Sequence, residues 1–216
     1  MRVLVALESC LKFSARAQLC INSWAQELPP GYDFKVFTGQ VLNVPDDYYS
    51  LCIKTKAIAA YALAHEYDWL LIVDDDVYIR TQQLVIPNAH YAGMILPRGI
   101  NTGTQQPYCS GGAYWLSRKA LTIIANAPLS HETYAEDRWT GAALAHHGIT
   151  PHDLPDFTIE PCECGQCDAQ PLSPDWTVQM QITTREKYIT AQHTHYAHRT
   201  RTSRPFQTTR TDRSRD

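Results

Sequence analysis

The chain has 216 residues, 44% hydrophobic and 19% charged, with 13 prolines, which suits one compact domain able to bury a core. The first apolar run, residues 3–7, stops at Glu8, well short of the ~18 residues of a spanning helix, so neither a secretory signal nor a membrane anchor is expected and a cytoplasmic protein is. The formal charge of −3 conceals a split: residues 199–216 hold six Arg against two Asp, a local +4, which leaves −7 on residues 1–198.

Residues 2–7 are short, apolar and β-branched, the pattern of a buried strand. A helix follows Ser14, with Ala17, Cys20, Ile21 and Trp24 on one face of a 3.6-residue period and Pro29, Pro30 and Gly31 as its stop. Residues 33–38 read as a second strand and residues 49–65 as a second helix with Leu51, Thr55, Ile58 and Ala62 on one face. The continuous apolar run 69–73 is the signature of a strand covered on both sides, and it ends in Asp74, Asp75 and Asp76. Strands are further predicted at 91–96 and 113–116, a Ser-capped helix at 117–127, and a helix at 136–147 closed by Gly148. Alternating strands and helices make an α/β layered domain. Five prolines interrupt residues 149–187, which read as loop-rich, with one last strand at 188–195. The Thr-, Arg- and Ser-rich tail 199–216 lacks the apolar content to offset the entropy of ordering, and disorder is expected there.

In open α/β sheets ligands bind at the carboxyl ends of the strands, where the three aspartates sit. Packed carboxylates repel one another. A hard divalent cation such as Mg²⁺ or Mn²⁺ relieves that repulsion through oxygen ligands, and an Asp-x-Asp at such a strand end suits a metal bridging the diphosphate of a nucleotide-sugar. A solvated acidic turn is the competing reading of the triplet alone. The glycines Gly111 and Gly112, placed before a strand, permit close backbone approach to a sugar or phosphate, and Tyr108 or Trp115 offers a stacking face or a core ring. Cys162, Cys164 and Cys167 supply three soft ligands, which His152 or Cys109 would complete as a structural Zn²⁺ site. A disulfide pair with one free thiol, or reduced thiols throughout, explains them equally. With seven cysteines and no secretory signal, reduced thiols are the default.

Several segments stand in a recognisable order: WLLIVDDDVYIR (69–80), PYCSGGAYWLS (107–117) and EDRWTG (136–141), preceded by VLVALESCLKFSARAQLCINSWA (3–25), FTG (37–39) and DYYSLCIKT (47–55). This order resembles the inverting β-1,3-glycosyltransferases of glycosyltransferase family 31, which include the β-1,3-galactosyltransferases and the Fringe-type enzymes. The likeness covers about residues 3–141. It departs from the family at Ala113, where a third glycine is usual, and at Arg138, where Val is usual, and neither change removes a reactive group. The resemblance implies a GT-A type, Rossmann-like nucleotide-sugar-binding fold, a mixed central sheet flanked by helices, as a single catalytic domain over residues 1–198. It further implies transfer of a hexose or N-acetylhexosamine from a UDP-sugar to a hydroxyl, with Asp137 as general base at a helix start and Glu136 as the alternative. Asp74 and Asp76 would hold Mn²⁺ or Mg²⁺ together with a late histidine, His193 or His195. Arg16, Lys54, Asp74, Asp75, Tyr108, Gly111 and Gly112 are the candidates for the nucleotide-sugar side. The expected acceptor is a saccharide; the Arg-rich tail raises a hydroxylated base of modified DNA as an alternative. A non-catalytic nucleotide-sugar or carbohydrate-binding module and a metal-dependent phosphoester hydrolase are the readings from other classes.

Overall fold

A computed structural model describes residues 1–96, 106–129, 135–159 and 178–180. The late strand at 188–195, His193, His195, Cys162, Cys164, Cys167 and the tail 199–216 lie outside the described residues. In chain order the elements are β1 (Val3–Glu8), α1 (Ser14–Ile21), β2 (Tyr32–Phe37), α2 (Gly39–Leu42), α3 (Leu51–Ala64), β3 (Trp69–Asp74), β4 (Tyr78–Ile79), β5 (Tyr91–Leu96), β6 (Tyr108–Ser117), α4 (Arg118–Asn126), α5 (Glu136–His146), β7 (His152–Asp153), β8 (Phe157–Ile159) and β9 (Val178–Met180).

The central sheet runs β2-β1-β3-β6-β5-β7, and a small sheet runs β4-β9-β8. Strands β1, β2 and β3 are parallel, whereas β6 is antiparallel to both β3 and β5. This is the α/β domain that the residue pattern predicts, with the mixed central sheet flanked by helices that the resemblance implies. Alternation along β1 and β3 sorts the core into two layers. Val3, Val5, Leu7, Leu71 and Val73 pack with Ala17, Cys20 and Trp24 on the α1 side. Leu4, Ala6, Leu70 and Ile72 pack with Ile58, Ala62, Leu121, Ile124 and Leu144 on the side of α3, α4 and α5. Both faces of the strands are therefore covered, which is why their sequences are continuously apolar.

Three differences from the predicted elements have local causes. Helix α1 ends at Ile21, before the predicted stop, because the Ser23 hydroxyl donates back to the Leu19 carbonyl at 2.6 Å and the chain tightens into a 3₁₀ turn at Trp24–Glu27. Strand β6 begins at Tyr108, so Gly111 and Gly112 lie inside a strand rather than before one; glycine weakens strand propensity and hides such a continuation. The strands β4, β7, β8 and β9 are only two or three residues long, too short for any periodicity to reveal.

Strand β1 has β2 on one side and β3 on the other, so the chain changes direction across the sheet between β1 and β3, and the carboxyl ends of these strands flank a topological switch point. Glu8 and Asp74 are register partners there. Beneath them Lys54 of α3, with its side chain only 3% exposed, donates to Asp46 at 2.8 Å and to the Ser9 carbonyl at 2.9 Å, and stands 4.0 Å from Glu8. Asp46 also accepts the N–H of Gly39 at 3.0 Å and of Leu11 at 3.4 Å, tying together the loops that follow β1 and β2. A Cβ on Gly39 would come within 2.7 Å of the Asp46 Cβ, so this close approach requires glycine.

Burial opposes ionisation of Asp46, but Lys54 and these two N–H groups hold its carboxyl below the ordinary range. Glu8 is the opposite case: burial pushes it up to about 7, against the attraction of Lys54.

Removing the Lys54 charge leaves Glu8 and Asp46 without their cation. Lys54→Met is expected to lower the unfolding free energy by about 3–5 kcal/mol, the cost of breaking a buried pair, measured by urea denaturation; a loss below about 1 kcal/mol, typical of an exposed pair, would show that the lysine is not holding this edge. Folded Glu8 keeps its proton to a higher pH than unfolded Glu8, so folding takes up a proton between about 4.5 and 7 and stability falls as pH rises through that window. In metal-free buffer Glu8→Gln is therefore expected to match the wild type near pH 4 and to exceed its stability by roughly 3 kcal/mol near pH 8; a difference independent of pH would contradict the buried-carboxyl assignment.

Candidate active site

The turn after β3 is held from three sides. Cys20 places its thiol against the carbonyls of Asp75 and Val77 at 3.6 and 3.7 Å, and Trp24 Nε1 donates to the Val77 carbonyl at 3.1 Å. The apolar face predicted for the first helix thus supports the aspartate turn. From β1, the Ser9 hydroxyl donates to Asp75 Oδ2 at 2.6 Å. From α1, Arg16 lies 3.6 Å from Asp75 Oδ1 while its guanidinium stacks on Phe13 at 4.3 Å.

These contacts sort the three aspartates. Asp75 is 7% exposed and occupied by Ser9 and Arg16, whereas Asp74 and Asp76 remain half-buried and partly open. All three carboxyls are pushed up. Burial is the largest cause for each; like charges add to it, from Asp76, Glu8, Asp75 and Asp137 for Asp74 and from Asp75 for Asp76. Among the described residues, no three His, Cys, Asp or Glu side chains form a group that could enclose a metal ion.

Opposite this turn, β6 is irregular. Gly93 pairs with Tyr114 and Ile95 with Cys109, so two steps along β5 correspond to five along β6. The resulting bulge carries Gly111 and Gly112 at the edge where β3 ends, with Val73 paired to Ala113. The bulge meets the start of α5. A Cβ on Gly111 would lie 2.6 Å from Glu136 Oε1 and 3.5 Å from the Asp137 Cβ. Farther along α5, a Cβ on Gly141 would lie 2.5 Å from the Tyr108 Cβ. The glycines of the Gly-Gly and Glu-Asp segments are thus the contact points that lock α5 onto β6.

Asp137 is half-buried in the first turn of α5 and accepts the Arg138 N–H at 2.7 Å. Burial pushes its carboxyl up, and the Arg138 N–H and charge and the Gly111 N–H oppose that rise. Glu136 is 6% exposed and is pushed well above the ordinary range by burial first, then by Asp137, Glu8 and Asp74.

The fold therefore brings Asp74, Asp75, Asp76, Gly111, Glu136, Asp137 and Arg16 to one edge, with Lys54 beneath. Lys54 contacts protein acceptors. Tyr108 is 5% exposed, buried against Gly141. Trp115 is fully buried, edge-on to Trp69 and Tyr32, and presents no face for stacking. Of the residues considered as completing a Zn²⁺ site, Cys109 is fully buried in β6 and His152 is exposed on β7. Glu8, Ser9 and Asp46 were not among the candidates drawn from the sequence. The signal for Glu8 was present, since it ends an apolar strand run just as Asp74 does.

Among the described residues no helix is long and apolar enough to cross a membrane. No protein-family model matches the chain. Among solved structures it is similar to a glycosyltransferase involved in the glycosylation of the major capsid of PBCV-1, with a TM-score of 0.53 and 15% sequence identity, over 89% of this chain and 100% of that one. At that identity the likeness is one of fold: the mixed sheet and its flanking helices have an architecture found in a glycosyltransferase.

Proposed function

We propose that the protein is a metal-dependent inverting glycosyltransferase that moves a hexose or N-acetylhexosamine from a UDP-sugar to a hydroxyl of a saccharide. The observation that carries this reading is the convergence of Asp74, which ends β3 two residues before Asp76, with Asp137 from α5 at the switch point of a sheet whose architecture occurs in a glycosyltransferase. The ordered segments that resemble family 31 supply the same roles for the same residues.

The donor set fits a hard divalent ion. Asp74 and Asp76 offer oxygen ligands on carboxyls that burial and mutual repulsion destabilise as anions, and a bound cation would relieve that strain. With two carboxylates on hand, His193 or His195 and the donor's phosphate oxygens would complete the ligand set. Mn²⁺ or Mg²⁺ bound there supplies neutralisation of the charge that grows on the leaving diphosphate.

The protein's own groups do the rest. Asp75 is held by Ser9 and Arg16 and fixes the turn. Asp137 takes the proton of the acceptor hydroxyl as that oxygen bonds to the anomeric carbon; the bond to UDP breaks with its electron pair leaving on the diphosphate, and the configuration inverts. The half-buried setting of Asp137 raises its basicity, while the helix start and the Arg138 N–H keep it ionised.

With Mn²⁺ and a panel of UDP-sugars, the wild type is expected to release UDP rather than sugar phosphate. Asp137→Asn is expected to slow release by about 10²–10⁴-fold with little change in the KM for the donor. Asp76→Asn is expected to raise the Mn²⁺ concentration for half-maximal release by about tenfold or more. Equal, slow release by wild type and Asp137→Asn would leave a binding module, and sugar phosphate as product would leave a phosphoester hydrolase.

A further inference from the structure

The role of Glu136 remains. Its carboxyl is buried at 6% exposure, and Oε2 closes no hydrogen bond among the described residues. Thr140, four residues on and so on the same face of α5, is fully buried, and so is Tyr114 of β6; like Glu136 Oε2, their hydroxyls close no hydrogen bond among the described residues. The charged groups acting on Glu136 are Asp137, Glu8 and Asp74, all of its own sign. Among the described residues no cationic side chain acts on Glu136 to offset its burial as a carboxylate, whereas a neutral carboxyl can donate its proton to a neighbouring oxygen. The opposite oxygen, Oε1, fills the space where a Gly111 side chain would begin, at 2.6 Å from that Cβ position. The same Gly111 position also lies against the base, 3.5 Å from the Asp137 Cβ.

Building on the glycosyltransferase reading, we propose that Glu136 is a positioning residue, not the base: its carboxyl, packed against the Gly111 Cα, fixes the strand segment against which Asp137 rests and so holds the Asp137 carboxylate in its reactive orientation. The arrangement needs a carboxyl-sized, neutral polar side chain at 136 and no side chain at 111. It needs no charge at 136. Glutamine meets these requirements and alanine does not. A methyl group at 111 acts like the loss of Glu136, because it displaces the carboxyl, and a shorter acid at 136 makes room for it.

The experiment compares UDP release and thermal unfolding for the full chain and for Glu136→Ala, Glu136→Gln, Gly111→Ala and the double variant Gly111→Ala/Glu136→Asp. Glu136→Ala and Gly111→Ala are expected to lower kcat by about 10²-fold, the cost of a small misplacement of a reacting group, with the donor KM within about threefold. Glu136→Gln is expected to recover most of that loss, and the double variant to recover at least tenfold over Gly111→Ala. A Glu136→Gln defect as large as that of Asp137→Asn would assign the ionised carboxylate to chemistry and overturn the proposal. Full activity in Glu136→Ala would overturn it as well. If even the wild type releases no UDP, the glycosyltransferase reading fails, and the neutral strut is then judged by ¹³C NMR of the Glu136 carboxyl. A protonated signal persisting at pH 7, lost in no other glutamate variant, supports it, and an ionised signal overturns it.

Discussion

Among the described residues seven carboxylates, those of Glu8, Asp46, Asp74, Asp75, Asp76, Glu136 and Asp137, meet at one edge of the sheet, and the cations acting on them there are Lys54, Arg16 and Arg138. Two like charges 4 Å apart repel by about 4 kcal/mol at an effective dielectric of about 20, so this edge cannot be fully ionised and stable. It has to be sorted into paired anions, protonated carboxyls and anions awaiting a cation. Each class has its members. Asp46 is an anion paired with a buried ammonium, and Glu8 and Glu136 are pushed toward the neutral form by burial. Asp74 and Asp76 stay partly open, where a cation brought with a substrate could reach them.

That sorting depends on packing more than on local charge. Lys54 reaches Asp46 and Glu8 because Ile58 and Ala62 of α3 pack on Leu4 and Ala6 of β1 and set the helix over this strand end. Asp75 differs from its two neighbours because Cys20, Trp24 and Ser9 fix the turn so that the middle carboxylate points inward. The hydrophobic layers thus decide which acid is structural and which is available, and a substitution in α1 far from the crevice would be felt there through the Asp75 and Val77 carbonyls.

The parts readable from sequence were those with a strong one-dimensional signal. The apolar run of β3 ending in aspartates, the Ser117 cap of α4 and the Gly148 stop of α5, with φ of 73°, all appear where the residues place them. Glu8 and Asp46 escaped for a physical reason: an isolated acid gains its meaning from a partner 46 residues away or fewer in sequence but adjacent only in the fold, as Lys54 is to both. Asp75 could not be told from Asp74 and Asp76, because burial separates them and composition does not. The glycines Gly111 and Gly141 carried a visible signal whose cause was hidden, since the atoms that exclude a side chain belong to Glu136 and Tyr108.

The irregularity in β6 explains why the site sits on this strand. In a regular antiparallel ladder the N–H groups of a central strand are taken up by its neighbours. Here β3 ends one residue beyond its last paired position, Val73 opposite Ala113, and the register with β5 skips from Tyr114 to Cys109. Residues 110–112 therefore fall outside both ladders, and Gly111 is free to lie against the start of α5. Glycine tolerates the backbone course, and its missing Cβ admits the Glu136 carboxyl. A bulge that breaks pairing on a central strand lowers the stability of the sheet locally, and at this edge it brings the strand against Asp137, the group proposed as the base.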